Sequence, residues 1–486
     1  MKKTILKALQ SSIKGQVQDG KEFRRFYSVD ASSYQIIPKI IVIAKNENDV
    51  VNTVKIAKKF KISVTVRGAG TGLVGSALND GIILDLKNLD SHSVLKNHIK
   101  VGPGVIKGKL DIILNQKKMF FPPNPSIGSF CSVGGMLGNN SSGSRSLKYG
   151  SVIDNVSEIK FVNGNGKTIT LPKNKKISNQ ILNQIKRTEL KKFPKVSKNS
   201  SGYRLDKIKT INDTHKIIIG SEGTLGIIIS ATLKIKPLPK KRILFIIEYD
   251  SVNNAAENCI EINKTNPSAI EFVDKPTLNQ INFKFNKKTK CLLFVEYDEN
   301  IKNNERKLKT INTGKIVQTL LKKSEIQKWW KYRDSSLYYS LKTIKKENRI
   351  PHVIEDAAVP LEKLPRLFSI LNKINKKYHT KSIAYGHAGN GNIHVRLISD
   401  RKKIGMIKKI AKEYFHEILK NGGTITAEHG DGLARSEFVR EQYGDANYKI
   451  FKDLKRFFDP DNLLNPGKKI SKKSTIVNNL ENYTTN

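Results

Sequence analysis

Three of the nine histidines in this 486-residue chain gather with a carboxylate in two short stretches. One is Gly386-His387-Ala388-Gly389-Asn390-Gly391-Asn392-Ile393-His394, and the other is Glu428-His429, which follows Ala427. Imidazole and carboxylate are the donors that a borderline divalent ion such as zinc takes. Three protein ligands leave a metal position open to substrate, and a remaining histidine beside it can serve as a base. The pattern reads as a catalytic centre, with a metal-free hydrogen-bond network as the alternative. His92, His98, His215, His352, His379 and His416 stand apart from it and read as structural or surface residues.

A second chemical feature is Arg67-Gly68-Ala69-Gly70-Thr71-Gly72-Leu73-Val74-Gly75. Glycines there let the backbone approach an anion and aim several N–H groups at it, and a pyrophosphate is the obvious guest. A dinucleotide fingerprint of the Rossmann kind needs a helix directly afterwards. Here residues 82–86 form another strand candidate, so that assignment fits poorly. Taken alone, the loop is equally a turn with no ligand.

These groups need a scaffold. Residues 39–44, 47–60 and 62–66 read as strand, helix and strand, with Asn46 as the helix cap. Residues 101–114 read as a strand end and a helix, and 152–162 with 167–171 as a hairpin around Asn163-Gly164-Asn165-Gly166. The Pro-, Gly-, Ser- and Asn-rich segment 121–150 is too long for a turn, and long irregular loops in compact domains are usually functional. Residues 172–200 read as a solvated helix and loop, and 217–235 as strand around a glycine turn. Pro237 and Pro239 mark a boundary. Beyond it, strands at 243–249 and 292–297 and helices at 361–374 and 403–420 indicate an α+β second domain. Three glycines argue against helix around His387 and His394, so a loop running into a strand at 393–397 would bring both rings to one ion. Glu428 and His429 are neighbours that in extended chain point to opposite sides, so one can bind metal while the other faces substrate.

Lys and Arg total 87 against 43 Asp and Glu, a formal net charge of +44. The lysines are spread along the chain and no nucleic-acid module accompanies them, so a nucleic-acid binder is set aside. Cys131, Cys259 and Cys291 are too far apart for a disulfide framework or a Cys-x-x-Cys cluster, which fits a reducing cytoplasm. No apolar run approaches the roughly 18 residues of a membrane span. The start has a basic end and no sustained apolar region. It reads as a short amphipathic helix that docks on the protein or at the inner face of a membrane.

Read together, five segments resemble the FAD-linked oxidases of the vanillyl-alcohol oxidase type, in the D-2-hydroxy-acid dehydrogenase branch with D-lactate dehydrogenase and the glycolate oxidase flavin subunit. They are residues 67–75; Phe121-Pro122-Pro123-Asn124-Pro125 through Ser132-Val133-Gly134-Gly135 to Asn139-Asn140 and Tyr149-Gly150; Gly220-Ser221-Glu222-Gly223-Thr224-Leu225-Gly226; the region from His387 to His429; and Phe458-Asp459-Pro460 through Leu464-Asn465-Pro466-Gly467-Lys468. The likeness runs in consistent order over roughly residues 25–470, and such ordered multiplicity is far more specific than one motif.

The resemblance implies an α+β fold. A helical segment, 1–30, precedes a two-subdomain FAD-binding domain, 31–238. A substrate and metal domain, 239–471, follows, with an antiparallel sheet and a C-terminal helical segment returning to the flavin; 472–486 is a polar tail. It implies that Arg67, Gly68, Ala69, Gly70, Thr71, Gly72, Gly75, Pro123, Ser132, Gly134, Gly135, Asn139, Asn140 and Gly150 surround the FAD. Glu222 and Gly223 would lie near its adenosine half, and Asn465 near the isoalloxazine ring. Residues 67–77 contain no histidine, so the FAD is expected to be non-covalent; Cys131 is expected to be buried as a small apolar residue. Tyr203 is a weaker candidate. The family pattern makes His387, His394 and Glu428 ligands of a divalent metal (Zn, Mn or Fe) and His429 the base. Trp330-Lys331-Tyr332-Arg333 matches a Trp-x-x-Arg segment whose arginine grips the substrate carboxylate, which a planar guanidinium does through two parallel hydrogen bonds.

The implied activity is oxidation of a D-2-hydroxy acid such as D-lactate or glycolate. Electrons would pass to a separate iron–sulfur protein, flavoprotein, cytochrome or quinone. The alternative is another FAD-linked enzyme of the same fold, similar to an alkylglycerone-phosphate synthase or an aldonolactone oxidase. The chain departs from the pattern at Asn390, where aspartate is usual. It departs again at Arg396, an asparagine in 2-hydroxyglutarate dehydrogenases, and in residues 353–360, which lack the lysine those enzymes use for the distal carboxylate. The last two departures count against hydroxyglutarate.

Overall fold

The computed structural model describes residues 2–279, 281, 283–343, 352–399, 405–471 and 473–481. Its first sheet is small and mixed. Strands Ile40–Ile43, Ile82–Asp85 and Val64–Arg67 lie parallel, with Gln16–Gln18 antiparallel on the outer edge. Parallel neighbours need a crossover, and the helix Glu47–Phe60 provides it. Asn46 caps that helix by accepting from the Asp49 N–H at 3.1 Å, and Val50, Val54 and Ala57 are buried along one face. The opening helix, Lys2–Ser12, buries Ile5 and Leu9 in the same core, so it docks on the protein.

A second, antiparallel sheet carries His92–Val94, His98–Val101, Ile227–Lys234, Val156–Val162 and Thr168–Leu171 in that spatial order. Two expectations shift here. Residues 152–154 form a 3₁₀ turn, and 217–226, the end of the 3₁₀ segment Ile211–Ile217 and the turns after it, are not strand. Asp154 and Asp213 each close a capping box on Ser151 and Thr210, so local side-chain bonds win over β-branched propensity. The long loop segment contains the short helix Val133–Asn139, whose Ser132 cap accepts from the Gly135 N–H.

The third sheet is antiparallel and six-stranded, ordered Lys315–Leu320, Ile243–Tyr249, Cys291–Tyr297, Ala269–Asp274, Lys381–His387, Asn392–Ile398. Helices Val252–Asn263, Leu364–Tyr378 and Met406–Lys420 pack together over it. Helix Val439–Phe458 then returns to the first half of the chain: Tyr443 meets Phe193, Phe451 meets Tyr203, and Phe458 meets Phe161. The turn after it reaches the first sheet, where the Val64 N–H donates to the Leu463 carbonyl and the Asn465 N–H donates to the Val64 carbonyl, both at 2.8 Å. The polar tail is anchored over its described part. Ile476 is fully buried, and Leu480 bridges to Tyr34.

Two buried carboxylates join the halves. Glu296 on the six-stranded sheet accepts from Arg145 Nε at 2.6 Å and Nη2 at 2.8 Å and from Trp330 Nε1 at 2.8 Å. Asp298 accepts from Lys148 Nζ at 2.6 Å and the Tyr149 hydroxyl at 2.5 Å.

Candidate active site

The six-stranded sheet sets out the site. Tyr385 and His387 alternate onto one face of Lys381–His387, and His394 and Arg396 do the same on Asn392–Ile398. Registry places Tyr385 opposite His394 and Ile383 opposite Arg396. Gly386, at φ +145°, sits where a Cβ would come within 2.9 Å of the Asn392 carbonyl, so the two strands close only on glycine. Glu428 and His429 arrive on the loop after Met406–Lys420. Asp356 fixes that loop: its Oδ2 accepts from the N–H groups of Ala427 (3.1 Å), Glu428 (2.9 Å) and His429 (2.8 Å) and from the Thr426 hydroxyl (2.9 Å).

The expected metal and base residues come together. His387 Nε2 is 2.9 Å, His394 Nε2 3.3 Å and His429 Nε2 3.8 Å from one oxygen of Glu428. The outer nitrogens have carboxylate neighbours. His387 Nδ1 is 2.8 Å from Glu271 and His429 Nδ1 is 2.7 Å from Glu355; His394 Nδ1 is 3.6 Å from Asp356 and hydrogen-bonds to none of the described residues. Carboxylates behind histidines are the arrangement that orients imidazole ligands. Both ring nitrogens of His387 face carboxylate oxygens, which suits a cation between the ring and Glu428. The donor set therefore fits a divalent ion. Ligand atoms of Asp356, His394, Glu428 and His429 also lie within 4.8 Å of one another, but the bonds Asp356 already makes to the loop mark it as a support.

Electrostatics divide the rings. Burial lowers His394 to about 4 and keeps it neutral. Burial also opposes charge on His429, but Asp356 and Glu355 outweigh it and push that ring up to about 9. Burial works against ionisation of Glu428 as well, yet Lys198 and His387 hold it well below the usual carboxylate range.

Four carboxylates (Glu271, Glu355, Asp356, Glu428) and four bases (Lys198, Arg333, Arg396, Arg435) are buried together here. Most were not legible in the sequence. Lys198 lies in the segment read as solvated, but it is buried with Nζ 3.1 Å from Glu428 Oε2, which also accepts from the Ser142 hydroxyl. Nothing distinguishes this lysine from the many others. Glu355 and Asp356 did carry a signal, because two acids inside the apolar run Val353 to Val359 imply buried, partnered charge. Arg333, expected to be free for a substrate, is ion-paired to Glu271, with Nε at 2.5 Å, and its Nη2 lies 3.3 Å from His387 Nδ1.

One cavity of about 470 Å³ joins this cluster to the glycine-rich loops. Arg67, Gly68, Ala69, Gly70, Thr71, Gly72, Ser132, Gly134, Gly135, Asn139, Glu222 and Gly223 line it, and so do Arg333, His387, His394, Arg396, Glu428 and His429. The two loops lean on each other, since a Cβ at Gly68 would fall 2.2 Å from Ser132 Oγ. With so much glycine in the lining, main chain forms much of the wall, which suits an extended polyphosphate-bearing ligand.

Six expected residues lie outside the lining. Gly75, at φ +72°, packs against Leu433 and Tyr34. Pro123 is buried, and Gly150 ends the short helix Ser146–Tyr149. Asn140 accepts from the Ile153 N–H and donates to the Asn199 carbonyl. Asn465 donates to the Ser76 and Glu222 carbonyls and accepts from Thr65, bracing the loops from behind. Tyr203 is buried against Thr224. Cys131 is buried in the lining, and burial raises its thiol to about 11.

Residues 38–172 match the FAD binding domain and residues 238–469 the C-terminal domain of the FAD linked oxidases. The chain belongs to the FAD-linked oxidases. This FAD-linked oxidase is 28% identical to the glycolate oxidase subunit GlcD of Bacillus subtilis (strain 168), over 93% of this chain and 94% of that protein. It is 27% identical to a D-lactate dehydrogenase of Anaerostipes hadrus, over 89% of each. A D-2-hydroxyglutarate dehydrogenase of Pseudomonas putida is 28% identical over 96% of this chain, which spans about half (51%) of that relative. Among solved structures, alkyldihydroxyacetonephosphate synthase superposes with a TM-score of 0.70 at 18% identity, over 96% of this chain and 86% of that one, and so shares the fold. No helix among the described residues is long and apolar enough to cross a membrane.

Proposed function

We propose that this FAD-linked oxidase is a dehydrogenase that oxidises a D-2-hydroxy acid of the lactate or glycolate kind to the 2-oxo acid and passes the electrons to a separate acceptor. The observation that carries this reading is the single cavity bounded by both glycine-rich loops and by the His387, His394, Glu428 and His429 cluster. Relatives named as D-lactate dehydrogenase and glycolate oxidase subunit support it.

Bound FAD, held non-covalently by residues 67–72, Ser132, Gly134, Gly135 and Asn139, supplies the two-electron acceptor. A divalent cation held by His387, His394 and Glu428 supplies Lewis acidity toward the substrate hydroxyl. His429 receives the hydroxyl proton at Nε2 in its neutral form, with Nδ1 turned to Glu355 at 2.7 Å and the ring partly exposed to the cavity; the carboxylates that raise the ring to about 9 make that form a strong base and the minor one at neutral pH. Glu355 fixes the tautomer, and Asp356 fixes the backbone that carries the ring. Arg333 balances the charge of Glu271 and so steadies His387. Ser142 and Lys198 hold the far oxygen of Glu428.

The purified protein is expected to show a flavin spectrum, to retain a divalent metal through gel filtration, and to bleach anaerobically with D- but not L-2-hydroxy acids. A colourless preparation, or one that no 2-hydroxy acid bleaches, overturns the proposal.

A further inference from the structure

A carboxylate substrate needs a cation with free donors, placed beside the proton acceptor. In a 2-hydroxy acid the carboxylate and the hydroxyl-bearing carbon share one bond, so anchor and base must be neighbours. Of the buried cations in the site, Arg333 is committed to Glu271 and sits beside His387, away from His429. Lys198 is committed to Glu428 and does not line the cavity. Arg435 is fully buried, bonding Glu355, Thr426 and the carbonyls of Val353, His352 and Gly430.

Arg396 differs. It is 3% exposed and lines the cavity, yet its Nη1 has no hydrogen-bond partner among the described residues. Its Nε donates to the Tyr385 hydroxyl at 3.3 Å, which aims the head group. Its Nη2 is 3.8 Å from Glu355 Oε2, while Oε1 of the same carboxylate holds His429 at 2.7 Å. One carboxylate therefore places the free guanidinium and the base side by side. The strand register agrees: Arg396 is two residues past His394 on the same sheet face, about 6.6 Å along, and His394 stacks on His429 with ring centroids 4.9 Å apart. A buried donor without a partner is costly, and a substrate oxygen would satisfy it.

We infer that Arg396 is the carboxylate anchor of this site, gripping the 1-carboxylate of the hydroxy acid through Nη1 while Glu355 holds it beside His429. Arg333 serves the opposite flank as the counter-ion of Glu271. This inference rests on the proposed hydroxy-acid chemistry.

The test compares Arg396→Gln, Arg396→Lys and Arg333→Gln in the flavin- and metal-loaded protein. Arg396 is one of three cations facing Glu355, so Arg435 and His429 still compensate that acid when Arg396 is replaced. Titration with oxalate, followed by perturbation of the flavin spectrum, reads anion binding without turnover. The dissociation constant is expected to rise about 100-fold in Arg396→Gln and less in Arg396→Lys. Preference for the active hydroxy acid over its carboxamide is expected to collapse in Arg396→Gln and persist in Arg333→Gln. Unchanged oxalate affinity and retained carboxamide discrimination in both Arg396 variants would overturn the inference while leaving the dehydrogenase reading intact. Wild-type protein that no hydroxy acid bleaches would instead sink the reading itself. If Arg396→Gln does not fold, the lysine variant decides alone, because its shorter head group cannot reproduce the Nη1 contact and unaltered affinity there counts against the inference.

Discussion

At the scale of single residues, the site is a set of buried charges that neutralise one another in pairs. Replacing Lys198 with Met leaves Glu428 Oε2 with only the Ser142 hydroxyl. Breaking a buried pair by removing one partner typically costs about 3–5 kcal/mol. Lys198→Met is therefore expected to lower stability by that order in chelator, measured by urea unfolding, and to recover part of it with added divalent cation. No recovery would mean that Glu428 is not facing a cation site. His429→Ala is expected to keep its flavin while anaerobic bleaching slows by about 10²- to 10⁴-fold; undiminished bleaching removes His429 from the role of base. The histidines and Glu428 were legible because few residue types carry such chemistry and glycines framed them. Lys198, Ser142 and Glu271 were not legible. Each lies far from Glu428 or His387 in sequence; the packing of the two halves brings Lys198 and Ser142 to Glu428, and strand pairing within the second half brings Glu271 to His387.

At the scale of elements, period and capping signals found the first parallel unit and three of the six strands of the largest sheet. They failed where side chains bonded their own backbone. Ile217, Ile218 and Ile219 are a β-branched run, yet the Thr210 and Asp213 capping box starts the 3₁₀ segment Ile211–Ile217 and the run ends in turns. His215 on that turn donates from Nε2 to the Val156 carbonyl at 3.1 Å, and burial lowers its pKa to about 4. The unfolded chain binds this proton near pH 6.5, so between about 6.5 and 4 it takes up more protons than the folded chain. Stability contributed by neutral His215 is thus present above about pH 6.5 and lost as pH falls toward 4. The melting temperature of His215→Asn, which can donate but does not titrate, should fall less steeply over that window. Parallel curves would show that His215 is not neutral in the fold.

At the scale of the whole molecule, the two halves meet through Glu296 and Asp298 on one side and through the helix Val439–Phe458 on the other. Arg145→Met removes the bidentate partner of the fully buried Glu296 and leaves only Trp330 at hydrogen-bond distance on its Oε2. Calorimetry should then resolve two transitions where the parent shows one, since the first half loses a main tie to the cap. A single, unshifted transition would show that helix Val439–Phe458 alone couples the halves. The order of the two halves was readable from ordered motifs, but their mutual grip was not. Charge pairs across an interface leave no periodicity in either strand or helix.

The bonds between Val64 and residues 463 and 465 have a bearing on biosynthesis. The strand that leads into the first glycine loop finds its outer neighbour about four hundred residues later. A ribosome must therefore deliver residues 64 through 465 before the nucleotide cradle has its last wall. Until those residues emerge, the sheet keeps an open edge beside Val64.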